Sequence, residues 1–582
     1  CFVPLSNNVF NYTEEEKYEI QPTIREQFYN PYCFVPLSNN VFNYTEEEKY
    51  KFMIANDVPF KNGISGKIHA TFTAKSPFCV KSNEKENCNI NGKYIIPSTS
   101  IKGMIRSVFD IITLSNISHS ADNSRFSMRN VRSDDYDLKK EAPKSGFLIL
   151  LRGDYFIIPC KSEAVLYETI KEEEGVDVKH GKTVEEKYKL IRKKYKFQTV
   201  DNFYHYWFFS GFMNNKKHEY DFKVPKSITQ KDLIPLNEKE FKEFRFINEI
   251  ENKNKSWAFW KKEMLSFSCL EELQQKSYKG LAPCFYREQI DEYGNRSVKD
   301  LGFSYLYRIP YQKTIHDCLP NAYKQNTFDM SQALFGFVLP KSKNRKEESL
   351  RGRVRFSNAF IKNAEREGEH TFILGSPKPT YFPFYLQKNG NSLQTYKSEN
   401  PIISGWKRYL LHSKVQKGEK QNKGSESSFI ALKAGATFTT EIYVHNVLPY
   451  ELGALIAALT FCNHKECFHS LGYAKPFGYG KMKLEDVKLE LTPNSSEIEE
   501  LSFDFLMKEF ENKILSNTQM TPNQYHNYLW SLFKIASGDY KDKPIRYPRL
   551  DNYDKIAKRK KSEFDIISNE KKSLDNFSPI TK

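Results

Sequence analysis

The stretch IPSTSIKGMIRSVFDIIT (96–113) decides how the rest of the chain is read. Ile101, Ile105, Val108, Phe109 and Ile112 recur at helical spacing, and Ser98 or Ser100 stands where a helix cap belongs. Lys102 and Arg106, four residues apart, share one side of that helix, and Gly103 between them admits another backbone. Upstream, ISGKIHATFTAKSPFCV (64–80) alternates apolar and polar residues and predicts a long strand. A polar loop over 81–95 joins the two. Far downstream the order returns. GATFTTEIYVHNV (435–447) predicts a strand and LPYELGALIAALTF (448–461) a helix with Leu452, Leu455, Ile456 and Leu459 inward. SLGYAKPFGYGKMKLEDVKLEL (470–491) predicts a glycine-rich turn entering a last strand. Strand, helix, then strand, helix, glycine loop, strand is a split β-α-β order, which predicts an α+β fold with a ferredoxin-like antiparallel core.

Composition bounds the function. The chain has 582 residues, 88 Lys+Arg against 72 Asp+Glu, and a net charge of +16. With 39% apolar and 15% aromatic residues it is not a disordered chain. No apolar run reaches about 18 residues, so no membrane partner is expected. Nor does a signal-like segment open the chain. Ten cysteines without a CxxC pair fit a reducing cytoplasm. The positive balance favours a polyanion, nucleic acid before membrane. A start at Cys1 rather than Met predicts that the true N-terminus is missing.

CFVPLSNNVFNYTEEEKY occurs at 1–18 and again, letter for letter, at 33–50. Structural repeats drift and come in at least about three copies. Residues 1–32 are therefore set aside as a duplication. Residues 33–140 are expected to form the first part of the core and 331–495 the second. A mixed α/β insertion is expected over 141–330, and a helical extension with a basic tail over 496–582.

Between the core pieces, GFLILLRGDYFIIPC (146–160) predicts a hairpin turning near Arg152-Gly153-Asp154, and the charged 161–200 segment a solvated helix. YHYWFFSGFMNNKKHEYDF (204–222) predicts two aromatic strands around a loop carrying Lys216, Lys217 and His218. Rings beside lysines suit single-stranded RNA, although a sheet core wants the same rings. LRGRVRFSNAFI (350–361) predicts a strand with an arginine face, Arg353 and Arg355, and GWKRYLLH (405–412) adds Lys407 and Arg408.

Three pieces in this order resemble the RAMP superfamily, the RNA-binding subunits of type III CRISPR effector complexes. IPSTSIKGMIR (96–106) resembles its helix opening, LFG with GRVRFSNA (334–359) its central motif, and LGYAKPFGYGKMKL (471–484) its glycine-rich loop. SGFMNNKKHEYDF, YRIPYQKTIHDCLP, SPKPTYFPFYL and GWKRYL are similar to a large branch with an insertion inside one RAMP core. The likeness covers most of 60–490. It implies an RNA-recognition-type sheet gripping crRNA or the crRNA–target duplex beside other effector subunits. It also implies RNA contacts at Ser98, Ser100, Lys102, Arg106, Gly472, Lys475, Gly478 and Gly480. Glycines let the chain approach a phosphate, backbone N–H groups bind it, and cations add a sequence-independent attraction. Arg353, Arg355, Lys216, Lys217, Lys407 and Arg408 form a second rank of candidates.

Backbone subunits of this superfamily carry a metal-assisted cleavage Asp in the loop after the first strand. Here that loop offers Glu84 and Glu86 but no Asp, so Mg²⁺ enters only if the chain is nucleolytic. His218, His316 and His469 lack a sequence partner for acid–base work. Cys462, His464, Cys467 and His469 are zinc-ligand types crowded into eight residues, too tight for the usual two-part site. The expectation is an RNA-binding subunit rather than an enzyme. The competing readings are a RAMP endoribonuclease and a protein–protein adaptor.

Overall fold

The alternation that begins at Ile64 becomes an antiparallel strand, Ile64–Ala74, whose Ile68, Ala70, Phe72 and Ala74 are buried. Lys67, His69, Thr71 and Thr73 alternate with them on the opposite, half-exposed face, as the two-residue period of a strand requires. The computed structural model describes residues 29–82, 85–117, 125–129, 136–192, 203–213, 216–251, 254–276, 278–325, 327–339, 347–374, 385–389, 392–416, 426–496, 501–538 and 544–547. Glu84, the 1–18 copy of the repeat, most of SPKPTYFPFYL and the basic tail lie outside them. The architecture is α+β.

The chain divides into two units. One comprises the described residues of Pro22–Asn123 and Ile315–Lys582, the other those of Ser124–Thr314. In the first, Ile64–Ala74 lies between Lys481–Pro493 and Thr437–Val447, and Thr437–Val447 pairs in turn with Val354–Phe356 and Ala359–Lys362. Lys93–Ile96 continues the sheet beyond Ala359–Lys362. All these pairings are antiparallel.

Helices Ser98–Ile112 and Pro449–Thr460 bury the residues their periodicity marked, among them Ile101, Ile105, Val108 and Phe109, and Leu452, Leu455, Ile456 and Leu459. Each buried aliphatic side chain contributes about 1.5–3 kcal/mol. Phe503–Thr518 joins the same core through Leu506, Phe510 and Ile514. It lies so close to the second helix that a Cβ on Gly453 would meet the Leu506 carbonyl oxygen at 2.0 Å. Only the second copy of the repeat falls among the described residues. It supplies buried Val35, Phe42 and Tyr44 and a helix, Glu46–Met53, closed by a Thr45–Glu48 capping box.

The second unit is built on the antiparallel hairpin Lys144–Leu151 and Asp154–Leu166, turning at Arg152-Gly153, both with positive φ. Phe203–Phe208 and His218–Pro225 pair beside it, and Phe147, Phe208, Phe222 and Phe285 pack ring against ring. These aromatics are core. The helix Val184–Arg192 is not simply solvated: Lys187, 1% exposed, reaches Glu219 at 2.7 Å and Ser210 O at 2.9 Å.

Candidate nucleic-acid interface

The first core helix starts differently from its sequence reading. Pro97 holds the cap position without a side-chain cap, and Ser98 and Ser100 lie half-buried in the first turn. The Ser98 N–H donates instead to Asn358 Oδ1 at 2.8 Å, so the SNA motif closes the helix end. Lys102 and Arg106 both lie over the Phe335 ring of the LFG motif, each 5.5 Å from its centre. Burial, and then Arg106 one turn on, lowers the Lys102 ammonium. Arg106 lies 3.7 Å from Asp110, whose carboxyl burial pushes up to about 6.

One residue past the motif, the exposed Ser107 hydroxyl accepts a hydrogen bond from Arg408 Nη1 at 2.9 Å. Arg408 sits on the strand Trp406–Tyr409, which pairs antiparallel with Tyr32–Val35. Residues 29–32, set aside with the duplication, thus take part in the fold: the Pro31 carbonyl accepts from Leu410 N at 2.9 Å. The Tyr32 ring lies 3.8 Å from the Lys407 ammonium, and the Tyr385 and Tyr409 rings each lie 5.3 Å away. Lys407 also donates to Tyr385 Oη at 2.9 Å. Burial pulls Lys407 down to about 8. Lys475, in the turn Lys475–Phe477 of the glycine loop, is pulled down to about 8 by burial and then by the Arg408 charge. Among the described residues no carboxylate pairs with Lys407, Arg408 or Lys475. Arg408 and Lys475, distant in sequence, are thus half-buried neighbours without a counter-charge, while Lys407, on the other face of the strand, is held among tyrosine rings.

The glycines serve this arrangement by packing on the chain's own backbone. Gly472 (φ +87°) would place a Cβ 2.3 Å from the Cys79 carbonyl oxygen, and Gly480 (φ +82°) 1.8 Å from that of Leu471. The N–H of Gly480 donates to the Pro77 carbonyl and that of Gly478 to the Lys475 carbonyl. These two N–H groups are therefore spent inside the fold, which corrects the expectation that they cradle a phosphate.

The second rank separates. Arg353 is fully buried and bidentate to Glu451, with Nη1 2.8 Å from its carboxylate and also from the Asn446 carbonyl. It reaches no solvent and is withdrawn as an RNA contact. Arg355 is exposed on the sheet face opposite the helices, 4.8 Å over the Tyr443 ring. Lys216, in the other unit, is bound to Glu219 and donates to Ser210 Oγ at 2.6 Å, while Lys217 is exposed. Lys216 thus closes a buried network with Lys187 and is withdrawn too.

Glu86 pairs with Arg366 at 2.8 Å. The cysteine–histidine segment does not gather: His469 is buried with Nε2 2.9 Å from the Leu459 carbonyl, and its ring packs 4.5 Å from that of Phe461. Burial takes His469 down to about 4 and the Cys462 and Cys467 thiols up to about 12. The His464 ring packs at a tilt 3.9 Å from that of Phe533. Among the described residues no three His, Cys, Asp or Glu side chains come together as a metal site. His218 lies 3.3 Å from Tyr220 Oη, and His316 opens the short turn His316–Cys318.

Sequence reasoning missed Ser107, Tyr32, Tyr385 and the Phe335 floor. Phe335 was inside a motif already singled out; the tyrosines enter only through tertiary pairing.

No family model matches this sequence, and no curated protein matches it. Among solved structures, the chain is similar to the crystal structure of Thermofilum pendens Csc2, at 14% identity over 37% of this chain and 56% of that one, with a TM-score of 0.14. It is also similar to a chain of a CRISPR RNA-guided surveillance complex, pre-nicking, at 11% identity over 84% of this chain and 96% of that one, with a TM-score of 0.21. The first match thus spans little more than half of the Csc2 chain. Likenesses at these scores carry no argument, and the function is read from the residues themselves. Among the described residues no helix is long and apolar enough to cross a membrane.

Proposed function

We propose that this chain is a CRISPR-associated RAMP protein that binds crRNA, or the crRNA–target duplex, beside other subunits of a cytoplasmic type III effector complex. The observation that carries the reading is the pair Arg408 and Lys475, half-buried without a carboxylate and tied to the first core helix through Ser107, with desolvated Lys407 beside Arg408 on the same strand. Desolvated cations without carboxylates are unfavourable alone, and a phosphate backbone relieves them. Lys102 and Arg106 extend the cationic surface along the helix. The sheet order supports a ferredoxin-like core. Counting core strands along the chain as Ile64–Ala74, the Val354–Phe356 and Ala359–Lys362 pair, Thr437–Val447 and Lys481–Pro493, they lie in space as fourth, first, third, second. A helix follows the first and the third. On this reading the Ser124–Thr314 unit is an insertion between the two halves of that core. Preparation without nuclease tests the proposal: RNA of uniform guide length is expected to copurify. A protein with the absorbance ratio of bare polypeptide and no RNA on a gel refutes it.

A further inference from the structure

A second cation pair lies within the Ser124–Thr314 unit, independent of Arg408 and Lys475. The strands Arg125–Met128 and Ile309–Thr314 are antiparallel, with Ile309 opposite Met128 and Pro310 opposite Ser127. One step further along that register, Arg308 stands opposite Arg129. Like charges facing each other across a ladder oppose its formation. Among the described residues neither guanidinium has a carboxylate partner; Arg129 donates to Met213 Sδ at 3.8 Å and faces Tyr136 and Arg308. Both arginines line one cavity of about 190 Å³ together with Asn248, Asn254 and Ser304.

The amides are held for donation. Asn248 Nδ2 donates to the Phe244 carbonyl at 2.9 Å, and Asn254 Nδ2 donates to Asn248 Oδ1 at 2.8 Å. Each nitrogen keeps a second hydrogen. Asn248 belongs to a π-helical turn, Phe246–Glu251, a rare geometry that recurs at functional sites.

We propose that this cavity binds a phosphate group, with the two guanidiniums clamping its oxygens and the amide N–H groups completing the shell. A cavity below the roughly 300–1,000 Å³ typical of small-molecule sites admits one such group rather than a whole nucleotide. The group comes either from a free phosphate compound or from a nucleic-acid backbone, and the two sources are separable.

The full chain, stripped of nucleic acid in high salt, is melted with and without inorganic phosphate at constant ionic strength. Its RNA affinity is then measured against salt. If the group is free, phosphate raises the melting temperature, and Arg308→Gln weakens phosphate binding at least about tenfold. If it belongs to RNA, phosphate has little effect, and Arg129→Gln/Arg308→Gln flattens the salt dependence by about 0.7 in slope per arginine. In either case the double variant without ligand melts no lower than the parent, because the opposed charges are gone. A control, Lys475→Gln, leaves the phosphate response intact, so failure here is distinct from failure of the crRNA reading. Unchanged phosphate response and unchanged salt slope in the double variant overturn the proposal, as does a double variant that melts well below the parent.

Discussion

Proton uptake on RNA binding is the sharpest consequence of the two desolvated lysines, Lys407 and Lys475. Lys407 and Lys475 titrate near 8 in the RNA-free protein because burial disfavours their charge. At pH 8 each is about half protonated. Phosphates beside them return both toward the ordinary lysine value of about 10.4, so binding takes up about one proton per complex. Between pH 7 and 9 the free protein loses these charges while the complex keeps them, and affinity falls about tenfold per lysine, or roughly a hundredfold for the pair. The sign for stability is the reverse. The unfolded chain binds more protons than the RNA-free fold between about 8 and 10.4, so the RNA-free fold gains stability as pH rises through that window. Titration calorimetry of the stripped protein with single-stranded RNA, in Hepes and in Tris, counts the protons from the difference in apparent enthalpy. Lys475→Arg, which stays charged, should remove about half the uptake and leave a roughly tenfold pH dependence. Affinity constant from pH 7 to 9 with no buffer dependence would show that RNA does not touch these lysines.

Gly480→Ala forces a side chain into the Leu471 carbonyl at positive φ and should cost at least about 2 kcal/mol in urea unfolding; wild-type stability with lost RNA binding would return the glycine to a phosphate role. Arg353→Met strands the buried Glu451 carboxylate and should cost about 3–5 kcal/mol, while the folded fraction keeps its RNA affinity. Glu86→Ala breaks an ion pair with the exposed Arg366 and should change stability by less than about 1 kcal/mol; a greater loss would mean that this loop is held by more than that pair. Lys102→Gln should weaken RNA of any sequence alike and flatten the salt dependence by about 0.7, measured by filter binding; a sequence-selective loss would argue for base contact instead.

What the sequence made legible follows from period. Ile101, Ile105, Val108 and Phe109 repeat every three to four residues, and Ile68, Ala70 and Phe72 every two, so helix and strand could be assigned before any contact was known. Charge carries no such period. Arg353 and Arg355 sit two residues apart in one motif, yet one is locked on Glu451 in the core and the other lies in solvent over Tyr443. Lys216 and Lys217 are adjacent, and only the second is exposed. The cause is that a cation's role depends on whether a carboxylate waits nearby in space, and that partner can come from anywhere in the chain. Glu451 is 98 residues from Arg353. The same dependence gives Lys407, Arg408 and Lys475 their meaning. A net charge of +16 is compatible with any basic surface, but half-buried lysines with no carboxylate are not ordinary surface. An unrelieved charge is worth most as a predictor where the fold has already desolvated it, because there a phosphate gains affinity that a solvated lysine cannot supply. On that argument Lys407, Arg408 and Lys475 outrank Lys217, although all four are cations in sequence and only Lys217 is exposed.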